Sequence, residues 1–403
     1  MNILVFSWRD PKHPLAGGAE QSMHEHMKGW VKEGHFVTLF SSLIKDSKQI
    51  EYLDGIKIVR NGNQYLGVQI KAFFYYLKNK NNFDFVVDQF HGIPFFTPLY
   101  VTKPKLAVLQ EVAKEVWFKN PLKFPINFII GFIGYITEPI IFLFYKKTHF
   151  MVGSNSAKDD LIKFGIKEKN ITVVPHGIIL PKKIPEHKLT NPKMITYFGP
   201  LTTDKGIMDA IKTFNILNKK GNYSFCIIGR PETDRYYKKV MQKVRKFDLN
   251  SKIEFWKRPT DEEKFEILSK SYLLINPSIR EGWGLVNIEA NAVGTPVIAY
   301  PSQGLIDSVS DNLSGVLTKN STPEDLAMEI EKTGGWLNAW TSEEATTYHN
   351  CVPPECIEDA LRVLAAQIYH PRLLEDKIET EMSNIIEEIK MYKDNPLGHA
   401  AML

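Results

Sequence analysis

Two carboxylates eight positions apart, Glu281 and Glu289, bracket the run Gly282-Trp283-Gly284-Leu285-Val286, the stretch of this chain best equipped for chemistry. An apolar run, Tyr272-Leu273-Leu274-Ile275, precedes it, and Asn287 to Ala292 reads as the helix that follows. The glycines let the backbone approach a ligand closely and take positive φ at low cost. The first N–H groups of such a helix point, with the positive end of its dipole, at any anion docked there. The pattern therefore describes a phosphate seat flanked by two acids. At a rise of about 1.5 Å per residue the two carboxylates stand roughly a pyrophosphate's length apart, which leaves one acid for a sugar and the other for a ribose.

The elements that must hold this turn alternate along the chain. Strands are expected at Ile3–Ser7, Phe36–Phe40, Ile56–Val59, Phe85–Val87, Leu106–Leu109, His149–Val152 and Ile171–Val174, separated by helical patterns. That alternation is how a parallel sheet covered by helices on both faces appears in sequence. Pro181 to Pro192, rich in proline and lysine, reads as a linker. A second set of strands then runs through Ile195–Phe198, Phe225–Ile228, Ile253–Phe255, Leu273–Asn276, Val297–Ala299 and Val316–Leu317. Two such sheets facing each other leave a cleft at their strand C-terminal ends, where open α/β sheets bind ligands. The long loop after the first strand ends in Gly17-Gly18 but lacks the G-x-G-x-x-G spacing, which argues against a dinucleotide oxidoreductase; a plain turn before a helix is the alternative reading.

These residues resemble the Glu-x7-Glu signature of retaining nucleotide-sugar glycosyltransferases of the GT-B fold, glycosyltransferase family 4 (glycosyl transferases group 1). The resemblance extends over about residues 2 to 318 through Gly17-Gly18-Ala19-Glu20, Phe90-His91-Gly92, Gly153-Ser154-Asn155-Ser156, Val174-Pro175-His176-Gly177, Phe198-Gly199-Pro200-Leu201 with Lys205-Gly206, Ile227-Ile228-Gly229, Pro277-Ser278, Ala292 to Val297 and Gly315-Val316-Leu317. It implies an α/β protein of GT-B architecture, two Rossmann-like domains with parallel sheets facing a cleft. The expected division is 1–185 for an acceptor-binding domain, 186–370 for a nucleotide-sugar-binding domain, and 371–403 for a C-terminal helix crossing back to the first domain.

The resemblance also implies roles. Glu281, His91 and Lys205 become the catalytic group: Glu281 orients sugar hydroxyls, His91 lies near the transferred sugar, and Lys205 meets the diphosphate as it leaves. Gly17, Gly18, Lys205, Arg258, Gly282, Trp283, Gly284, Leu285, Val286 and Glu289 become the donor site, with Glu289 on the ribose. One position departs from the family pattern. Pro200 stands where an arginine is usual, so the bidentate fork to phosphate is missing, and Arg258 or Arg230 from neighbouring loops is the expected substitute.

The implied activity is retaining transfer of a hexose from a nucleotide-diphosphate sugar to a sugar or lipid-linked acceptor. Two alternatives stand beside it: a catalytically weak or inactive nucleotide-sugar-binding protein, favoured by Pro200, and a nucleotide-sugar epimerase of the same fold. No histidine combines with acids at metal-ligand spacing, so neither a metal nor a cofactor beyond the donor sugar is expected, and no nucleic-acid partner.

Composition sets the frame. At 403 residues the chain suits two domains, and 43% hydrophobic with 24% charged residues is usual for soluble globular proteins. Three cysteines make no disulfide framework, and Asn2 to Trp8 reads as a strand rather than an export signal, so a cytoplasmic setting is expected. Residues 1–190 carry 25 Lys/Arg against 16 Asp/Glu, while the remainder carries 25 against 30. A basic first half points to an anionic surface such as the inner face of the cell membrane, with scattered solvated lysines as the alternative. Phe124 to Tyr145 is strongly apolar but contains Thr137-Glu138-Pro139. A helix pair in the first domain's core is the plainer expectation for it; a segment lying in a membrane interface, flanked by Lys119, Lys123, Lys146 and Lys147, is the other.

Overall fold

The computed structural model describes residues 1–332 except 65, 91, 121 and 310–313, the segments 336–341 and 346–351, and the single helical positions 361, 365, 382 and 386. By its contacts it divides into a body, Met1–Glu329, and a separate unit, Ile330–Leu403. Of the sequence expectations, His91 and all of 371–403 except Met382 and Ile386 lie outside the described residues.

The first half of the body is an eight-stranded sheet made of β1 (Asn2–Phe6), β2 (Phe36–Ser41), β3 (Ile50–Leu53), β4 (Ile56–Arg60), β5 (Phe85–Phe90), β6 (Lys105–Leu109), β7 (His149–Val152) and β8 (Ile171–Val173). Its helices are α1 (Gly18–Lys32), α2 (Gly67–Asn79), α3 (Ile126–Phe144) and α4 (Asn155–Lys163). The strand order is β3-β4-β2-β1-β5-β6-β7-β8, parallel except for the antiparallel β3–β4 edge. β1 shows why the sheet is double-faced. Ile3 and Val5 pack with Met23 and Met27 of α1, whereas Leu4 and Phe6 pack with Val68, Ala72 and Tyr76 of α2. Alternate side chains of a strand point to opposite faces, so a run of four apolar residues fills two cores at once.

The second half repeats the scheme with β9 (Lys193–Phe198), α5 (Ile207–Leu217), β10 (Tyr223–Ile228), α6 (Asp234–Lys246), β11 (Ile253–Trp256), α7 (Asp261–Ser269), β12 (Leu273–Asn276), α8 (Leu285–Asn291), β13 (Val297–Ala299), α9 (Leu305–Ser308), β14 (Gly315–Leu317) and α10 (Pro323–Lys332). Its strands, all parallel, lie in the order β11-β10-β9-β12-β13-β14. Strand order reverses direction at β1/β5 in the first sheet and at β9/β12 in the second, so each sheet has one switch point at which its loops diverge. In the separate unit, β15 (Trp336–Thr341) and β16 (Thr346–Cys351) form an antiparallel hairpin.

Two sequence expectations change. The edge strand β3 was not foreseen; it pairs antiparallel across a short turn and shows only weak alternation. The Phe124–Tyr145 stretch is one helix, α3, not a pair in the core, and only 22% of its most apolar window is buried. Pro139 does not break it, and the Thr137 hydroxyl donates back to the Ile133 carbonyl at 2.8 Å.

Candidate active site

A cleft of about 310 Å³ lies where the loops from the two switch points meet. The second half supplies Phe198, Gly199, Pro200 and Lys205 after β9, Arg230 after β10, and Ser278 with Glu281 to Val286 after β12. The first half supplies Trp8, Arg9, Leu15 and Gly17 to Glu20 after β1, Gln110 and Glu111 after β6, and His176 after β8. Of the expected site residues, Glu281, Lys205, Gly17, Gly18, Gly282, Trp283, Gly284, Leu285 and Val286 therefore line one space.

Glu281 and Lys205 form the centre. The Lys205 Nζ lies 2.9 Å from Glu281 Oε2 and 3.8 Å from Asp204 Oδ2, and it donates to the Arg280 carbonyl at 3.3 Å. The other Glu281 oxygen, Oε1, accepts from the Ser278 hydroxyl at 2.9 Å. Burial works against the ammonium, but Glu281, Glu111 and Asp204 outweigh it and hold Lys205 well above the ordinary lysine pKa. A permanently charged cation and a carboxylate in one fixed orientation result.

The turn between the acids needs its glycines. A Cβ on Gly282 would stand 2.6 Å from the Gln110 carbonyl oxygen of the opposite wall. Gly284 has φ of +86°, the left-handed region that other residues enter only at a cost. Trp283 lies between them with its Nε1 buried and without an acceptor in the described structure. An unpaired buried indole N–H in a polar cleft is a donor awaiting an acceptor.

Pro200 does line the cleft, and other cations stand near it. Arg230 lines the same space and donates to the Ala16 carbonyl at 2.7 Å. Arg9 lies over the Trp8 ring, 4.3 Å from its centroid, and donates to the Leu15 carbonyl at 2.8 Å. The Arg230 guanidinium has its pKa lowered, first by burial and then by Arg258 and Arg9, so these three charges sit close enough to repel one another. Repulsion of this kind is relieved by an anion. Arg258, the residue expected on the donor, is exposed, donates to the Pro14 carbonyl at 2.8 Å and is not among the cleft's lining residues. Of the two arginines considered from sequence, Arg230 is the one in the cleft.

Two further expectations are modified. The Gly17 N–H, expected to be available to a ligand in the donor site, donates instead to Glu20 Oε2 at 2.7 Å, closing the first turn of α1. Glu289 does not line the cleft. Its Oε1 lies 2.8 Å from Lys264 Nζ, and burial, against the pull of Lys264, raises its pKa. Lys264 in turn lies 6.0 Å from the centroid of the cleft residue Phe198. The two acids of the motif are thus unlike: Glu281 is inside the cleft, and Glu289 lies outside its lining and pairs with Lys264.

On the first-half wall Gly17 and Gly18 were expected, but Gln110 and Glu111 were not. Glu111, at the end of β6, is 7% exposed, and its pKa is pushed up to about 7 by burial, with Lys205 pulling it down and Glu281 and Asp204 pushing it up. Next to it, Gln110 Oε1 lies 2.9 Å from His176 Nε2, whose Nδ1 lies 2.9 Å from the Ser22 hydroxyl. Burial, helped by His26, lowers His176 to about 4, so the ring is neutral. An amide oxygen only accepts, so the His176 proton is on Nε2 and the Ser22 hydroxyl donates to Nδ1. Gln110 is then left with its NH₂ for the cleft. The one available signal was position, since both residues follow directly on a β6 run read correctly as a strand.

The two walls are tied together. Arg280, beside Glu281, bonds Asp160 at 2.8 Å and Glu115 at 3.0 Å across the joint. Asp307 accepts from Asn155 N and Ser156 N, both at 3.1 Å, which caps α4 from the other half. Among the described residues no group of three or more His, Cys, Asp or Glu is placed to hold a metal ion.

Comparisons agree with this architecture. Residues 181–333 match the family described as glycosyl transferases group 1. The chain is 31% identical over 217 residues to the capsular polysaccharide biosynthesis glycosyltransferase CapM of Staphylococcus aureus, covering 50% of this chain and 55% of that protein. It is 26% identical over 254 residues to an uncharacterized glycosyltransferase of Methanocaldococcus jannaschii, covering 59% and 61%. The chain thus spans little more than half the length of these curated relatives. Among solved structures, a sucrose-phosphate synthase from Thermosynechococcus elongatus superposes with a TM-score of 0.67 at 16% identity, covering 82% of this chain and 88% of that one. Anabaena HepE in complex with UDP and glucose superposes at 0.60 and 15%, covering 95% and 100%. These neighbours establish the fold as GT-B.

The tail matches something else. Residues 312–402 match the family described as insulinase (peptidase family M16), and 79 residues are 37% identical to an uncharacterized zinc protease of Bacillus subtilis, 20% of this chain and 19% of that protein. The zinc-binding patterns H-E-x-x-H and H-x-x-E-H do not occur in the sequence.

Proposed function

We propose that this protein is a glycosyltransferase that moves a hexose from a nucleoside-diphosphate sugar to a sugar or lipid-linked acceptor, with retention at the anomeric carbon and without a metal ion. The observation that carries the reading is the Lys205–Glu281 pair, 2.9 Å apart, in a cleft that also receives Arg9 and Arg230. The group 1 match over 181–333 covers the half that supplies this pair. HepE was solved with UDP-glucose, which makes that donor the first to try here. CapM's role in capsular polysaccharide biosynthesis makes a glycan acceptor the first to try.

In this reading Lys205, Arg230 and Arg9 receive the diphosphate, and stabilising its developing charge is the largest contribution to rate. Glu281, fixed by Ser278 and Lys205, accepts from hydroxyls of the transferred sugar. The bond from the anomeric carbon to the phosphate oxygen breaks with its electron pair leaving on the diphosphate. The acceptor oxygen bonds to the same face, and its proton passes to that phosphate oxygen. Glu111 and the Gln110 NH₂, from the opposite wall, are the acceptor and donor that hold the incoming hydroxyl. The buried free thiol of Cys226 suits the cytoplasmic setting we assign to this reaction.

A second reading, binding without turnover, is favoured by Pro200 in the cleft wall. Release of UDP from UDP-glucose, and of the matching nucleoside diphosphate from other nucleotide hexoses, followed in EDTA with a glycan acceptor, separates the two. Wild-type protein is expected to turn over, and Glu281→Gln to lose activity by about 10²-fold or more with nucleotide affinity nearly unchanged. Donor binding without product would favour the second reading, and no binding of any nucleotide sugar would end both.

A further inference from the structure

Helix α3 is amphipathic in the reverse sense. Its buried stripe, spaced at three and four residues, is Gly131, Gly134, Glu138 and Phe142. A Cβ on Gly134 would stand 2.3 Å from the Trp117 ring and one on Gly131 would stand 2.8 Å from Phe118, so the helix lies along the 3₁₀ segment Lys114–Lys119. The Glu138 carboxylate faces the same way and accepts from Ala113 N at 2.6 Å and Lys114 N at 2.8 Å. The polar and small residues thus face the protein. The outward face presents Phe128, Ile129, Phe132, Ile133, Ile136 and Ile140, each about half exposed. A surface helix ordinarily shows the opposite arrangement. A contiguous apolar face on a helix about 28 Å long marks an interaction surface.

The charges around it identify the partner. Lys119 and Lys123 lie before the helix and Lys146 and Lys147 just after it, all exposed, and the one acid within α3 is the buried Glu138. A second copy would bring the same lysines against each other across the joint, which is repulsive. An anionic lipid surface satisfies both features, taking the apolar side chains below its headgroups and the lysines among them. Nor can α3 cross the bilayer alone, because its inner stripe packs against its own protein and Glu138 is held by two backbone N–H groups.

We propose that α3 is an in-plane membrane anchor, which docks the first half of the body on an anionic bilayer through its outward apolar face and the lysines at its two ends. The proposal stands on the helix surface and does not depend on the transfer reaction.

Co-sedimentation of the full chain with vesicles of phosphatidylcholine and phosphatidylglycerol tests it. Wild-type protein is expected to pellet with anionic vesicles, and the Phe132→Glu, Ile136→Glu double variant to lose about tenfold or more in bound fraction. Both side chains face water in the isolated protein, so an unchanged unfolding midpoint without lipid separates lost binding from lost folding. Charge reversal at Lys119, Lys123, Lys146 and Lys147 is expected to weaken binding strongly at low salt and little at high salt. Wild-type protein staying in the supernatant with anionic vesicles would overturn the proposal, as would equal pelleting by the double variant. A lipid-free dimer that the double variant disperses, with no vesicle binding, would assign the face to a second copy instead.

Discussion

The two walls of the cleft are built in different ways. The second-half wall comes from the ends of three strands, with Phe198, Gly199, Pro200 and Lys205 after β9, Arg230 after β10, and Ser278 with Glu281 to Val286 after β12. The first-half wall combines the loop after β1, which gives Trp8, Arg9, Leu15 and Gly17 to Glu20, with Gln110 and Glu111 after β6 and His176 after β8. Their electrostatics differ too. On the second half the central charges are paired, Lys205 with Glu281 and Lys264 with Glu289, and both lysines are held above their ordinary pKa. On the first half burial is the leading influence, and Glu111 moves up to about 7 against the pull of Lys205 while His176 moves down to about 4. The Lys205 ammonium keeps its proton across the physiological range, whereas Glu111 titrates within it.

The largest expected effect that would break this contrast is at Lys205. Lys205→Ala removes the cation and frees Glu281, and transfer is expected to fall by about 10²- to 10³-fold. Steady-state turnover close to wild type would mean that the paired wall is not where the leaving group is met. Next come the two arginines. Arg230→Ala is expected to weaken nucleoside-diphosphate binding by about tenfold, the worth of one charge-assisted hydrogen bond, and Arg258→Ala to leave it nearly unchanged. Equal effects in a binding titration would erase the distinction between cleft and rim.

A third test sharpens the comparison through pH. Because the folded-state pKa of Glu111 is raised from 4.5 to about 7, the folded protein keeps a proton that the unfolded chain has released, and stability from this site falls as pH rises through that window. His176 runs the other way: lowered from 6.5 to about 4, it costs stability as pH falls through that range. Glu111→Gln should therefore unfold later than wild type at pH 8 by more than it does at pH 5, the difference amounting to about 3 kcal/mol at most. A gap independent of pH in thermal melts would show that Glu111 is not buried as described.

The same contrast explains what could be read in the sequence. Glu281 and Gly282-Trp283-Gly284 were legible because the turn carries its own requirements, a positive φ at Gly284 and close approach at Gly282. The fold was legible because apolar runs such as Ile3 to Phe6 fill both faces of a parallel sheet. Gln110 and Glu111 were not, because only the strand order β1-β5-β6 carries them to the cleft, and no local pattern records strand order. Glu289 was given a place in the cleft because spacing along a helix does not show that Lys264 of α7 pairs with it. In α3 the apolar density was visible, but the informative feature was the small and acidic stripe within it, which reverses the usual direction of burial.

Cations from both walls meet one diphosphate in the proposed reaction, and calorimetric titration with UDP, using wild-type protein, Arg9→Ala and Arg230→Ala, is the decisive test. Measurable binding by wild type is expected, with a loss of about tenfold for each variant, and a free ligand at 100 times its dissociation constant raises wild-type stability by about 2.7 kcal/mol. Unchanged affinity in both variants, or no binding of UDP or any other nucleoside diphosphate by wild type, would contradict it.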